Sequence, residues 1–199
     1  KIFRLLEGTL ITIANQYGVK ISTIEHLMAA FVGLGIDNVI VEIDSQEIPI
    51  LDGSAKDFVK ILKDTGKKYS DIPIKIIKIN KYMELIEGDK FISIDKSNTT
   101  LYIDFEINYQ NKLIGNQKNK INVYENKLDD IYESRTFCLY EDIEKLKKLG
   151  LGKGGSLDNA LVVKNDKLMN EDGLRTNQEF VHHKIIESMS DLDLVGYSL

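Results

Sequence analysis

Two residues near the C-terminal end carry the first chemical signal. His183 and Glu187 stand four apart, and on a helix that spacing puts both side chains on one face, one turn apart. An imidazole and a carboxylate so placed can grip one divalent ion. A hydrolytic zinc site takes three protein ligands and leaves a position for water. The chain has three histidines. His182 lies about 100° from His183 around a helix, off the face of Glu187, so His26 is the better third ligand. Glu25 beside it has the chemistry of a general base for water held by a metal. Each of these residues also has a plainer account. Ser22 and Glu25 have the spacing of a capping box, in which the glutamate caps a helix. His183 and Glu187 could be an ordinary pair on a solvated face, and a lone histidine at a helix start is more often a surface or core residue. Spacing alone leaves these alternatives open.

Secondary elements must bring the residues together. Residues 27–34 form an apolar helical run after Glu25, with Gly33 and Gly35 available to end it. Residues 38–43 (NVIVEI) are β-branched and read as a strand. Asp52 to Ser54 reads as a turn into a helix with Phe58, Val59, Ile61 and Leu62 on its apolar face, ending near Gly66. A polar stretch over 67–71, followed by Pro73, is the best boundary between two units. Beyond it, residues 72–79, 83–87, 91–95 and 101–107 read as strands, 108–120 as a polar loop and 141–149 as a short helix. Residues 160–163 and 167–169 flank an Asn165-Asp166 turn, and 179–194 form the last helix. Strands and helices mix without strict alternation, which predicts an α+β fold of two small two-layer units, 1–70 and 71–199.

Bulk properties narrow the function. A net charge of -5 argues against a nucleic-acid partner, and no window reaches the ~18 apolar residues of a membrane span. The single cysteine, Cys138, permits no disulfide within the chain and no thiolate metal cage, so a metal must be held by histidine and carboxylate. That cysteine usage, with no signal-peptide core at the first residues, fits a cytoplasmic protein. The pattern specifies no oligomeric state.

The stretches ISTIEHLMAAFVGLGIDNVIVEIDSQEIPILDGSAKDFV, SRTF, GLGKGGSLDNALVV, LMNEDGLR and EFVHHKIIESMSDL occur in this order. In that arrangement the chain resembles the UDP-3-O-acyl-N-acetylglucosamine deacetylases, zinc enzymes of lipid A synthesis in Gram-negative bacteria. The resemblance runs from about Val19 to the end and is loosest over 72–125. It implies that Glu25 is the general base and that His26, His183 and Glu187 hold Zn2+, with Glu187 standing where the family has aspartate. It implies that Thr136 stabilises the oxyanion and that Lys184 lies near the substrate. Asp191 would orient a catalytic histidine that the family carries further downstream, and Ser190 replaces the family's usual glycine. A β-α-β insert over about 137–163 would bind the acyl chain, with Phe137, Ile143 and Leu157 as candidate lining.

The chain is therefore expected to be a fragment lacking the first strands and the C-terminal segment. Its expected substrate is an acylated UDP-sugar, whose N-acetyl group it would remove. The other readings are a zinc hydrolase of the same fold with a different acylated substrate, and a non-catalytic module that binds only the sugar nucleotide or acyl chain.

Overall fold

The computed structural model describes residues 2–7, 10–125, 127–150 and 152–199, with side chains from residue 11 onward. Three antiparallel strands come first: β1 (Ile2–Glu7), β2 (Leu10–Asn15) and β3 (Lys20–Ser22), in the order β1-β2-β3. The Asn15 carboxamide closes the β2–β3 turn by accepting from the backbone N–H groups of Tyr17 and Val19, at 2.9 and 3.1 Å.

Helix α1 (Glu25–Leu34) follows and ends at Gly35 in the left-handed conformation, as its glycine signal predicts. The expected capping box does not form. Ser22 is the last residue of β3, and its hydroxyl accepts from Thr12 Oγ1 at 2.9 Å, while the N-cap of the helix is Ile24, with no side-chain cap. Sheet pairing has taken the serine, and Glu25 is left for another task.

Helix α2 (Lys56–Thr65) buries Val59 and packs Phe58 and Leu62 against the core. Strands β4 (Met83–Glu87) and β5 (Lys90–Ile94) form a hairpin, and β6 (Tyr102–Asn108) pairs antiparallel with β7 (Asn116–Asn122). A short α3 (Asp129–Tyr132) leads to β8 (Phe137–Leu139), α4 (Tyr140–Lys148) and β9 (Leu161–Lys164). Strands β8 and β9 are parallel, so β8–α4–β9 is a β-α-β unit. The β9–β10 hairpin, with β10 spanning Lys167–Leu168, turns through Asn165 and Asp166, both at positive φ. Helix α5 (Glu179–Asp193) closes the described fold. The class is α+β, as the mixed pattern predicts.

Three readings are corrected. Residues 38–43 form no strand, and Ile40 is 90% exposed; β-branched residues favour a ladder but need a neighbour to make one. Residues 72–79 form no strand beyond a single bridge from Ile76 to Ser198. Residues 116–122, read as part of a loop, are β7. Their Asn and Lys side chains answer the acidic outer face of β6: Asn116 Nδ2 donates to Glu106 Oε1 at 2.7 Å, and Lys118 pairs with Asp104 at 3.3 Å. Cross-strand partners, not β propensity, make this strand.

The main hydrophobic cluster draws on both ends of the sequence. Ala29 and Ala30 of α1, and Ala55 at the N-cap of α2 with Val59 within it, pack with Ile185, Ile186 and Met189 of α5 and with Tyr132. The small alanines let α1 approach α5 closely, which sets the distance between the residues these helices carry.

Candidate active site

His26 is 1% exposed on the first turn of α1, and His183 is 3% exposed one turn into α5. Their rings meet edge to face, with centroids 5.3 Å apart. Among the described residues, both ring nitrogens of His26, Nδ1 of His183 and Oε2 of Glu25 are buried without a hydrogen-bond partner. A buried polar atom left unsatisfied costs ~1–3 kcal/mol. Four of them from two packed helices mark a place built for something that bonds to nitrogen and oxygen.

Electrostatics sharpen the picture. Burial, reinforced by the neighbouring His183, pushes the His26 imidazole down to about 3, so it is neutral and its lone pair is available. Burial raises the Glu25 carboxyl to about 7, with the charges of Glu187 and Asp191 adding to the effect and backbone hydrogen bonds at Glu25 and Ile11 opposing it. That value lies in the working range of a general base at neutral pH. For Glu187 burial acts upward too, but the hydrogen bond to His183 and the Lys184 ammonium override it and hold the carboxyl at about 2.

Glu187 Oε1 lies 3.2 Å from His183 Nε2, and Lys184 Nζ donates to both Glu187 oxygens at 2.8 and 2.9 Å. The structure thus brings His26 and His183 together and leaves Glu187 turned to its own helix. Among the described residues no three His, Cys, Asp or Glu side chains are arranged to hold a metal ion. The donor set still fits a divalent ion: two imidazoles with nitrogens unpartnered among the described residues, and an ionised carboxylate beside one of them. His182, the rival, faces elsewhere, with Nε2 2.9 Å from Asn119 Nδ2 and Nδ1 3.4 Å from Thr176 Oγ1.

Thr136 is half-buried just before β8, its N–H donating to the Gly53 carbonyl and its carbonyl accepting from Leu161 N–H, each at 2.8 Å. The next residue, Phe137, sets its ring edge-on to Phe180 and His183, with centroids 5.1 and 6.1 Å away. Lys184 Nζ lies 5.5 Å from the Phe137 ring centre. Asp191 stands two turns beyond His183 on α5, near enough for its charge to act on Glu25. Ile143 is half-buried on α4, and Leu157 is 42% exposed in the connection from α4 to β9. Of the three candidate acyl contacts, Phe137 is the one whose ring meets His183.

Sequence reasoning missed the polar frame around these groups. Arg135, 1% exposed, donates Nε to Glu179 Oε1 at 2.8 Å and Nη1 to Asp172 Oδ2 at 2.6 Å. Arg175 pairs with Asp52 at 2.9 Å, tying the Asp52 turn to the segment before α5. Partners 44 and 123 positions apart leave no local pattern to read.

The sequence matches, over residues 4–199, the family described as UDP-3-O-acyl N-acetylglycosamine deacetylase. The chain belongs to this family. Relatives named UDP-3-O-acyl-N-acetylglucosamine deacetylase include one from Nautilia profundicola, 42% identical over 193 residues, covering 96% of this chain and 65% of the relative. One from Actinobacillus pleuropneumoniae serotype 3 is 42% identical over 189 residues, covering 93% and 61%. Another, from Haemophilus influenzae strain 86-028NP, is 41% identical over 191 residues, again covering 93% and 61%. The chain therefore spans 61–65% of the length of these deacetylases. Among the described residues no helix is long and apolar enough to cross a membrane.

Proposed function

We propose that this chain supplies the metal-binding part of a zinc-dependent hydrolase. Its reaction would be removal of the N-acetyl group of UDP-3-O-acyl-N-acetylglucosamine, giving the free amine and acetate, a step of lipid A synthesis in the cytoplasm. The observation that carries this reading is the buried His26–His183 pair, ring centroids 5.3 Å apart, with three of its ring nitrogens unpartnered among the described residues. The names of the relatives supply the substrate.

His26 and His183 would hold the ion, with Glu187 as third ligand once it turns from Lys184. The carboxylate is already ionised, so the movement exchanges one cationic partner for another. Bound there, zinc supplies a Lewis acid that polarises a carbonyl and makes water more acidic. Glu25 accepts the proton of the attacking water, a role its raised pKa suits. The Thr136 hydroxyl donates to the carbonyl oxygen as charge develops on it. Lys184, freed from Glu187, offers its ammonium to the anionic substrate. Asp191 keeps negative charge near Glu25 and is suited to orient a histidine that protonates the leaving amine. Phe137, Ile143 and Leu157 on the β8–α4–β9 unit would contact the acyl chain. In this scheme residues 1–70 and 71–199 act as two units, with the site at their junction.

The test uses the complete protein with Glu25→Gln and His183→Ala, following acetate release and bound zinc. Glu25→Gln is expected to keep the metal and lose turnover; His183→Ala is expected to lose both. Normal turnover in either variant sinks the assignment.

A further inference from the structure

We propose that Arg135 and Glu179 are positioning residues that hold Thr136 in register with His183, an inference that rests on the function proposed above. Glu179 is the first residue of α5, one turn before His183, and its side chain is fully buried. Its Oε1 accepts from both the backbone N–H and Nε of Arg135, at 3.0 and 2.8 Å. Its Oε2 accepts from Arg175 N–H at 2.7 Å. The rest of the Arg135 guanidinium is also committed, with Nη1 on Asp172 and Nη2 on the Gly173 carbonyl at 2.7 Å.

The consequence falls on the next residue. The amide of Arg135 is fixed to α5, the amide of Thr136 to Gly53, and the carbonyl of Thr136 to Leu161. Three backbone groups of these two adjacent residues are bonded to three separate segments. Of these bonds, the one to Glu179 ties Thr136 to the helix that carries His183. Nη2 of Arg135 also reaches Glu179 Oε2 at 3.4 Å, and a guanidinium–carboxylate contact made at two points sets orientation as well as distance. Phe137, packed on Phe180 and His183, follows the same registration. An ion pair serving stability alone would act regardless of the Thr136 hydroxyl. A positioning pair acts through it, and the two are separable.

The experiment is a double-mutant cycle in the complete zinc-loaded protein, with Glu179→Gln, Thr136→Val and the combination. Turnover is measured on UDP-3-O-acyl-N-acetylglucosamine, with zinc content by atomic emission. Glu179→Gln keeps the shape but turns an N–H toward a donor. It is expected to lower kcat about 10²-fold, the cost of a misplaced catalytic group, with KM nearly unchanged and zinc retained. In the Thr136→Val background the same change is expected to have little further effect. Independent, multiplying losses overturn the proposal, as does loss of zinc in Glu179→Gln, and both leave the proposed function standing. Full turnover in Thr136→Val instead overturns the oxyanion role within that function, and this inference with it. If Glu179→Gln does not fold, Asp172→Asn carries the same cycle. That carboxylate is 61% exposed and holds Arg135 from the rim, so a kcat loss of about 3–10-fold is expected, again absent in the Thr136→Val background.

Discussion

Replacing Gly53 by alanine tests how the turn at Asp52 supports the site. Gly53 is buried at φ 82, and a Cβ added there would lie 1.9 Å from the carbonyl oxygen of Asn159. Gly18 has the same φ of 82 but is exposed, with no atom of the described residues within 4 Å of an added Cβ. Both Gly→Ala changes meet the left-handed backbone cost of ~1–2 kcal/mol. Gly53→Ala adds overlap with a backbone atom, and over-packing of this kind costs a further ~1–3 kcal/mol. The expected losses are therefore ~2–5 kcal/mol for Gly53→Ala and ~1–2 kcal/mol for Gly18→Ala. At ~2–4 °C per kcal/mol for a chain of this size, Gly53→Ala should melt ~2–12 °C below Gly18→Ala. The chain has no tryptophan, so thermal and urea unfolding are followed by circular dichroism. Because the obstacle is a backbone carbonyl, no side-chain change at Asn159 relieves it. The Gly53 carbonyl also receives the Thr136 N–H, so activity should fall more in Gly53→Ala than in Gly18→Ala. Equal melting temperatures would refute the close approach of the Asn159 carbonyl, in the turn before β9, and the reasoning built on it.

Metal-stripped protein should melt higher once zinc is restored: at a hundredfold excess over Kd the gain is ~2.7 kcal/mol, or ~5–11 °C. His183→Ala should abolish the rise, and an unchanged melting temperature in the unsubstituted protein counts against the metal site. Burial acts upward on the Asp52 carboxyl, but hydrogen bonds from Ser54 and Lys56 and the Arg175 charge outweigh it and hold the pKa at about 2, below its ordinary 3.8. Its stabilisation is then complete above about pH 4 and lost as pH falls toward about 2. Asp52→Asn should flatten that part of the stability profile in urea titrations, and an unaltered slope would contradict it. Ser190 is fully buried on α5 with its hydroxyl unpartnered among the described residues, so Ser190→Ala should stabilise by ~1 kcal/mol. A clear loss of stability would mean that the hydroxyl is bonded.

Periodic features were legible because their cause is local. The His183 and Glu187 spacing places both on one face of α5, and Gly35 ends α1 because glycine tolerates the left-handed turn. The capping box was misread for the same reason in reverse. Ser22 has the right local spacing, but β3 pairs with β2 and engages its hydroxyl with Thr12. Residues 116–122 look like a loop in isolation and become β7 through the acidic residues of β6 across from them.

What the sequence by itself determined is the α+β class, the helix that carries His183, and membership of a deacetylase family through its long ordered blocks. These depend on short-range periodicity and on residue identity. Tertiary structure decided that His26 meets His183 at 5.3 Å, that Glu187 turns to Lys184, and that Arg135 reaches Glu179. Those pairings join segments 3 to 157 positions apart. Even the nearest of them turns on how burial and neighbouring charges divide among competing partners. Spacing along a chain does not encode that competition; packing of α1 against α5 does.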